Sequence, residues 1–262
     1  MAASSQDDDT SDIMISSLPL ATRCPLFPLR LYGGFWMPEP MLPGLAAARS
    51  RFEPRPSDVF LASFPKSGTT WLKALAFATV HRADHPPCCP DHPLRRRSPH
   101  ECVKYLEEMR FASSGDLFAA LPSPRVLATH IPYTLLSARI AAAEGASGGR
   151  IVYICRAPKD ALVSMWLFTQ KKLATEANGG DLPKPYTIEE AFELFCDGRA
   201  FYGPQWHHVA GYWEASRRWP EEVLFLRYED MLHDPVGNVR KLAAFMGCAF
   251  SDEEQATGVV KP

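Results

Sequence analysis

The sequence predicts an α/β fold in which a single parallel sheet is flanked by helices. Short apolar runs typical of buried strands alternate with longer amphipathic segments typical of helices, and this alternation requires a parallel sheet covered on both faces. The length of 262 residues can bury the core of one α/β domain or of two small ones. We predict one domain over residues 19–262, preceded by a tail at residues 1–18.

The N-terminal region gives little sign of regular structure. Residues 1–12 are rich in Ser and Asp, and they have neither the basic start nor the apolar stretch of a secretory signal. We expect residues 1–18 to form a disordered acidic tail. Residues 19–56 are Pro-rich with scattered aromatic side chains, and we predict irregular structure laid against the core.

The strand and helix pattern begins at residue 59. Residues 59–64 form a short apolar run ending at Pro65, as a buried strand would, and residues 69–81 carry apolar side chains at helical spacing. Thr187 and Glu190 have the spacing of a capping box, which predicts a helix start. The other predicted strands are 125–129, 151–155 and 223–226, and the other predicted helices are 134–143, 159–170, 187–195, 207–219 and 238–246.

The composition argues against several classes of partner. Lys and Arg number 28 and Asp and Glu number 30, and the resulting net charge of −2 argues against a nucleic-acid partner. No apolar run approaches the roughly 18 residues that span a bilayer, so we expect no membrane partner. The seven cysteines are odd in number and form no CxxC pair, as expected for reduced thiols in the cytoplasm.

One stretch carries residue types that bind zinc. Residues 85–92 contain two histidines and two cysteines. The prolines between them stiffen the chain, and adjacent cysteines rarely ligate one ion together. We predict a Pro-rich surface loop here and no metal site, with zinc binding as the minor alternative.

Four chemically capable residues follow four of the predicted strands. Lys66, His130, Arg156 and Tyr228 each come within a few residues of a strand's carboxyl end. In open parallel sheets, ligands bind in the crevice outside the carboxyl ends of the strands. The sequence therefore predicts a site at this edge of the sheet.

The first of these loops, Phe64-Pro65-Lys66-Ser67-Gly68-Thr69-Thr70-Trp71, has the strand-loop-helix context of a phosphate cradle. Backbone N–H groups at a helix N-terminus bind anions, and a glycine lets the backbone approach closely. The alternative is a plain turn in which a threonine caps the helix and the tryptophan belongs to the core. The loop is not a Walker A sequence, because its lysine precedes its only glycine. A P-loop kinase is therefore disfavoured.

Further motifs accompany this loop. The segments are Tyr153 to Ser164, Thr129 to Tyr133 and Leu226 to Met231. With Pro65 to Trp71, they resemble the nucleotide-binding and catalytic motifs of the cytosolic sulfotransferases, and Tyr32 to Trp36 resembles the plant branch of that family. The resemblance runs from about residue 31 to the C-terminus. It implies the P-loop-NTPase-like sulfotransferase fold and the co-substrate 3′-phosphoadenosine 5′-phosphosulfate (PAPS).

The resemblance implies roles for individual residues. His130 would be the general base, and a neutral imidazole suits the removal of a proton from a hydroxyl acceptor during attack. Lys66 would stabilise the oxygen that leaves with the nucleotide. Arg156 and Ser164 would hold the 3′-phosphate, and Arg suits that task through its fork of donors. The full set of implied nucleotide-binding residues is Lys66, Ser67, Gly68, Thr69, Thr70, Trp71, Arg156, Ser164 and Tyr228.

Each of these residues alone has a structural alternative. His130 could be a strand-end histidine bonded to backbone, and Arg156 could form a surface ion pair with Asp160. Ser164 could be an ordinary helix residue, and Tyr228 a core aromatic. His207 and His208 favour a packed or solvated helix face over contact with the acceptor.

The chain departs from the family's pattern in two places. Many relatives carry a lysine two residues before the histidine, where this chain has Ala128. The family's Arg-Lys-Gly segment, which adds 3′-phosphate contacts, has no equivalent here, so we expect the fold's C-terminal part to be missing. The expected function is sulfuryl transfer to a small hydroxylated acceptor such as a phenolic, flavonoid or steroid. The alternative is an impaired protein that binds the nucleotide without turnover. The oligomeric state stays open, with a monomer among the options.

Overall fold

A computed structural model describes residues 15–111, 118–141, 148–176 and 186–256. Most of the predicted N-terminal tail lies outside these ranges. Its described part includes a 3₁₀ helix at Ile15–Ser17. None of the described helices is both long and apolar enough to cross a membrane.

The Pro-rich region after the tail contains regular structure, so the expectation of irregular structure there was wrong. Strands β1 (Leu20–Ala21), β2 (Leu29–Tyr32) and β3 (Phe35–Pro38) form an antiparallel sheet, and helix α1 (Leu42–Arg51) follows. Tyr32 pairs with Phe35, so the hairpin loop is Gly33-Gly34, both at positive φ. A Gly-Gly pair between apolar runs is a hairpin signal, and the prolines around it obscured this one.

The second sheet confirms the predicted parallel arrangement. Its strands are β4 (Val59–Ser63), β5 (Val126–Thr129), β6 (Arg150–Cys155) and β7 (Val223–Arg227), in the order β5-β4-β6-β7. All three strand pairs are parallel. The carboxyl ends of the four strands therefore meet at one edge.

Both faces of this sheet are buried. Phe60 and Tyr153 belong to one apolar cluster, whereas Leu61 and Val152, one residue along each strand, belong to a second cluster on the opposite face. Alternate residues of a strand point to opposite faces, so strands buried on both sides read as continuous apolar runs. That is why the strands were visible in the sequence.

The helices cover the two faces. The described helices after α1 are α2 (Thr69–Val80), α3 (Pro99–Cys102), α4 (Pro158–Glu176), α5 (Ile188–Cys196), α6 (Gln205–Arg218), α7 (Tyr228–His233), α8 (Pro235–Phe245) and α9 (Asp252–Ala256). The predicted capping box is confirmed, because the Thr187 hydroxyl accepts from the Glu190 amide and the Glu190 carboxylate accepts from the Thr187 amide.

The predicted helix at 134–143 was wrong. A 3₁₀ turn spans Tyr133–Leu135, and Leu136 is extended. The Ser137 carbonyl then accepts from the amides of Ile140 and Ala141 in a separate turn. The apolar side chains of this segment are buried without the helical backbone that their spacing suggested. Residues 142–147 lie outside the described ranges.

The amino edge of the parallel sheet holds a buried ion pair. Asp58 precedes β4 and Arg125 precedes β5, and both side chains are fully buried. The guanidinium donates to the two carboxylate oxygens, from Nε at 2.9 Å and from Nη2 at 2.6 Å. Nη2 also donates to the Glu53 carbonyl at 2.7 Å, and the Asp58 carboxylate accepts from the Arg55 amide at 2.8 Å.

Candidate functional site

The loop between β4 and α2 makes a tight turn at the carboxyl edge. Lys66 and Gly68 have φ values of 68° and 104°, and the Ser67 amide donates to the Phe64 carbonyl at 3.2 Å. A Cβ at position 68 would lie 2.7 Å from Cδ2 of Tyr228. Position 68 therefore requires glycine both for its backbone conformation and for the close approach of the tyrosine ring.

The loop ends at the N-terminus of α2, where helix N–H groups lack intrahelical partners. Gly68 is the N-cap and no side chain caps the helix, so neither threonine is the N-cap. The Ser67 hydroxyl is fully buried and has no hydrogen-bond partner among the described residues. The Thr69 and Ser63 hydroxyls share a bond of 2.6 Å. A donor-rich helix end with an unpartnered buried hydroxyl is the arrangement that an anion completes.

Lys66 and Arg156 place two positive charges at the loop. Burial lowers the pKa of Lys66 below its ordinary value, and the charge of Arg156 lowers it further. The Lys66 ammonium lies 4.4 Å from the centre of the Phe168 ring. Two neighbouring cations, one of them with a lowered pKa, make this corner receptive to a ligand with negative charge.

Arg156, Tyr228 and Trp71 pack together beside the loop. The Arg156 guanidinium lies 4.7 Å from the Tyr228 ring centre, and Nη1 donates to the Lys66 carbonyl at 3.4 Å. Its Nε is buried without a partner, and no ion pair with Asp160 is present among the described residues. The Trp71 ring meets Tyr228 edge-on at 5.5 Å. Ser164 lies half-buried in the second turn of α4.

His130 is held by three hydrogen bonds of 2.9 Å or shorter, and its Nδ1 also lies 3.5 Å from the Ser63 hydroxyl. Its amide donates to the Glu107 carboxylate at 2.7 Å, and its carbonyl accepts from His208 Nε2 at 2.9 Å. Its ring Nδ1 lies 2.8 Å from the Ser63 carbonyl. A carbonyl only accepts, so Nδ1 carries the hydrogen and Nε2 has a free lone pair.

The surroundings keep this ring neutral. Burial lowers the pKa of His130 to about 3; the bond to the Ser63 carbonyl opposes this shift, and the positive charge of Lys73 adds to it. Tyr105 and Tyr202 flank the ring, with centroids at 5.1 and 5.5 Å. A neutral imidazole with an accessible Nε2 can accept a proton from a hydroxyl.

A cavity of about 530 Å³ joins these residues. Its polar lining includes Lys66, Thr69, Thr70 and His130. Its other walls are mainly aromatic and apolar, with Phe27, Pro38, Met41, Phe168, Phe201 and Tyr202 among them. A mostly apolar cavity with a few convergent polar groups is typical of a small-molecule site.

Comparison with known proteins gives the family. The sulfotransferase domain family matches residues 56–261. This chain belongs to the sulfotransferase family.

Relatives of this chain in the family come from Arabidopsis thaliana. Cytosolic sulfotransferase 16 is 43% identical over 234 residues, which are 89% of this chain and 65% of the relative. Cytosolic sulfotransferase 13 is 38% identical over 248 residues, which are 95% of this chain and 72% of the relative. The chain therefore spans just under two thirds of the length of the first of these relatives.

Solved structures agree with the fold. A sulphotransferase from Arabidopsis thaliana aligns with a TM-score of 0.79 and 37% identity, covering 100% of this chain and 87% of that one. Mouse sulfotransferase SULT7A1 in complex with PAP aligns with a TM-score of 0.60 and 28% identity, covering 89% of this chain and 74% of that one. The predicted sulfotransferase fold is confirmed.

Three residues of the sulfotransferase cavity region were missed by the sequence reasoning. Lys73 is fully buried in α2, Glu107 is buried beside His130, and His100 lines the cavity. Lys73 had a signal, because it stands at an apolar position of the helical pattern and a lysine is rarely buried without a specific partner. Glu107 and His100 had none, because they lie outside the motifs and no spacing in the sequence relates them to the loop or to His130.

The histidines outside the motifs lie behind the site, at the surface or in the Pro-rich stretch. His208 is fully buried, bonds to Tyr153 and to the His130 carbonyl, and so packs behind the site, as the favoured interpretation held. His207 is exposed. In the residue 85–92 stretch, His92 Nδ1 accepts from the Leu94 amide at 3.2 Å. Within the described ranges, no group of three or more His, Cys, Asp or Glu side chains is placed to hold a metal ion.

Proposed function

We propose that this chain transfers a sulfuryl group from PAPS to the hydroxyl of a small, flat, apolar acceptor. The observation that carries the proposal is that Lys66 and His130, which follow the adjoining strands β4 and β5, line one cavity and His130 presents an unprotonated Nε2. The pairing places a cation beside the anion-binding loop and a base beside the aromatic walls.

The proposed reaction uses these two residues on opposite sides of the sulfur. His130 Nε2 takes the proton of the acceptor hydroxyl as its oxygen bonds to sulfur. The bond between sulfur and the bridging phosphate oxygen breaks, and Lys66 and the loop amides stabilise the charge on the departing adenosine 3′,5′-bisphosphate. The bond between Nδ1 and the Ser63 carbonyl holds the ring in the tautomer that this proton transfer needs.

The nucleotide end of the proposal rests on a second group of residues. Arg156 Nε is buried without a partner among the described residues, so it is available to donate to the 3′-phosphate. Ser164 would add a hydroxyl donor to the same phosphate. Trp71 and Tyr228 offer ring surfaces for adenine. Ser67, Gly68, Thr69 and Thr70 would hold the 5′-phosphate. The relative solved with PAP, which is adenosine 3′,5′-bisphosphate, supports a PAPS co-substrate. We propose no metal.

The acceptor belongs to the aromatic half of the cavity. Phe27, Phe201 and Tyr202 favour a flat apolar molecule with one hydroxyl near His130, such as a phenolic, flavonoid or steroid. The names of the Arabidopsis relatives support a cytoplasmic location.

The direct experiment incubates the chain with PAPS that carries labelled sulfur and with a mixed panel of phenols and sterols. We expect label on at least one acceptor and a rise in melting temperature with adenosine 3′,5′-bisphosphate. No labelled acceptor together with a retained rise would favour the alternative of nucleotide binding without turnover. Stabilisation by ATP with magnesium alone would contradict both.

A substitution in the loop tests the site itself. Lys66→Ala should reduce transfer because it removes the charge at the leaving oxygen, whereas Lys241→Ala, at an exposed position of α8, is the matched control. Equal transfer rates for the two variants would refute the assignment of Lys66.

A further inference from the structure

A hydrogen-bonded chain links the interior of the protein to the loop. It begins at Lys73, whose side chain is fully buried on α2. The Lys73 ammonium donates to the Val103 carbonyl at 3.0 Å and lies 3.2 Å from His100 Nδ1. It also lies 3.3 Å from the centre of the Tyr105 ring, which favours the charged form. Burial lowers the pKa of Lys73 to about 7, and the charges of Glu107 and Glu108 oppose this shift, so the ammonium is the main form below pH 7.

The ammonium fixes the tautomer of His100. An ammonium has donors and no acceptor, so Nδ1 of His100 must accept from Lys73. Burial and the charge of Lys73 lower the pKa of His100, which keeps the ring neutral. A neutral ring that accepts at Nδ1 carries its hydrogen on Nε2.

The tautomer in turn fixes the direction of the next bond. His100 Nε2 lies 3.1 Å from the Thr70 hydroxyl oxygen, so Nε2 donates and the oxygen accepts. The Thr70 hydrogen is then directed to some other acceptor. Thr70 and His100 line the same cavity as Lys66 and His130, so an anion in the loop is within the space that this hydrogen faces.

We propose that Lys73 and His100 are positioning residues that hold the Thr70 hydroxyl as a hydrogen-bond donor to the 5′-anion of the nucleotide. The proposal rests on the proposed function, because that function supplies the anion. Without the buried ammonium, the His100 ring is free to hold its hydrogen on Nδ1. The Thr70 hydroxyl would then donate to Nε2 of His100 and not to the nucleotide.

Two substitutions of His100 separate the two ends of its ring. In His100→Gln the amide nitrogen reaches the place of Nε2 and can still donate to Thr70. In His100→Asn the amide oxygen takes the place of Nδ1 and can accept from Lys73, but nothing donates to Thr70. The His100 ring stacks on Tyr105 with centroids 5.7 Å apart, and both changes remove this contact, so a difference between Asn and Gln reports the hydrogen bonds.

The experiment measures dissociation constants for two probes, adenosine 3′,5′-bisphosphate and adenosine 3′-monophosphate, by titration calorimetry at pH 6, where Lys73 is an ammonium. We expect His100→Asn and Lys73→Met each to weaken bisphosphate binding about tenfold, the effect of losing one hydrogen bond to a charged group. His100→Gln should bind within about threefold of the unmodified chain. The monophosphate, which lacks the 5′-anion, should bind all variants equally.

A double-mutant cycle gives the decisive comparison. In a Thr70→Val background, His100→Asn should add no further loss, because the hydroxyl that it orients is gone. Additive losses, equal losses for Asn and Gln, or equal losses for the two probes would overturn the relay while leaving the proposed function in place. Failure of the unmodified chain to bind the bisphosphate would overturn both.

Discussion

The two edges of the parallel sheet differ in whether their buried polar groups have hydrogen-bond partners. At the amino edge, Asp58 and Arg125 are fully buried and satisfy each other through two short hydrogen bonds. At the carboxyl edge, the Ser67 hydroxyl, Arg156 Nε and Gln205 Oε1 are buried without partners in the part of the chain that the structure describes. One edge is complete without a ligand, and the other has hydrogen-bonding capacity left unused.

This difference separates stability from function along the same strands. A buried unpartnered donor costs about 1–3 kcal/mol, and a folded protein keeps such groups mainly where a ligand satisfies them. The positive φ of Lys66 adds local strain at the same edge. The amino edge should therefore govern folding, and the carboxyl edge should govern binding and turnover.

The largest effect expected at the carboxyl edge is on turnover. His130→Asn keeps an amide donor for the Ser63 carbonyl and removes the base, so kcat should fall about 10²–10⁴-fold. The measurement is labelled sulfonate transfer, with His207→Asn on the exposed part of α6 as the control. A kcat equal to that of the control would show that the base lies elsewhere.

The matching substitution at the amino edge should affect stability. Asp58→Asn leaves the Arg125 charge buried and uncompensated, which should reduce the free energy of unfolding by about 3–5 kcal/mol in urea denaturation. The control is Glu193→Gln, whose ion pair with Arg23 is more than half exposed and should matter by less than about 1 kcal/mol. Similar losses for the two variants would remove the contrast between the edges.

Ser67→Ala should have opposite effects on the stability of the free protein and on its affinity for the bisphosphate. Removing an unpartnered buried hydroxyl should leave the free protein equally stable or stabilise it by about 1 kcal/mol. The same change should weaken adenosine 3′,5′-bisphosphate several-fold, because the hydroxyl is available to the bound anion. Thermal unfolding with and without the bisphosphate measures both, and a loss of stability without ligand would contradict the assignment.

The smallest effect expected is in the pH dependence. Because burial lowers the pKa of His130 from 6.5 to about 3, the neutral, base-competent ring persists as pH falls through 6.5. Initial rates with an acceptor hydroxyl that does not titrate should therefore show no acid limb near pH 6.5. A limb at that pH, abolished in His130→Asn, would show that the ring is more hydrated than its contacts imply.

The sequence by itself determined the parallel sheet and the edge where the site lies. Strands buried on both faces appear as continuous apolar runs, and Lys66, His130, Arg156 and Tyr228 each follow such a run. These are local signals that depend on chain neighbours, and the capping box at Thr187 is another. The loop around Gly68 was also readable, because its glycine and helix start are adjacent in sequence.

Only the tertiary structure decided which groups surround His130 and the loop. Glu107, His208 and the Ser63 carbonyl orient His130 from three separate elements, and no sequence spacing relates them. The chain from Lys73 through His100 to Thr70 likewise joins α2 to α3. Burial and hydrogen-bond direction are set by contacts between segments that are distant in sequence, so the tautomers and charge states at the site follow from the fold.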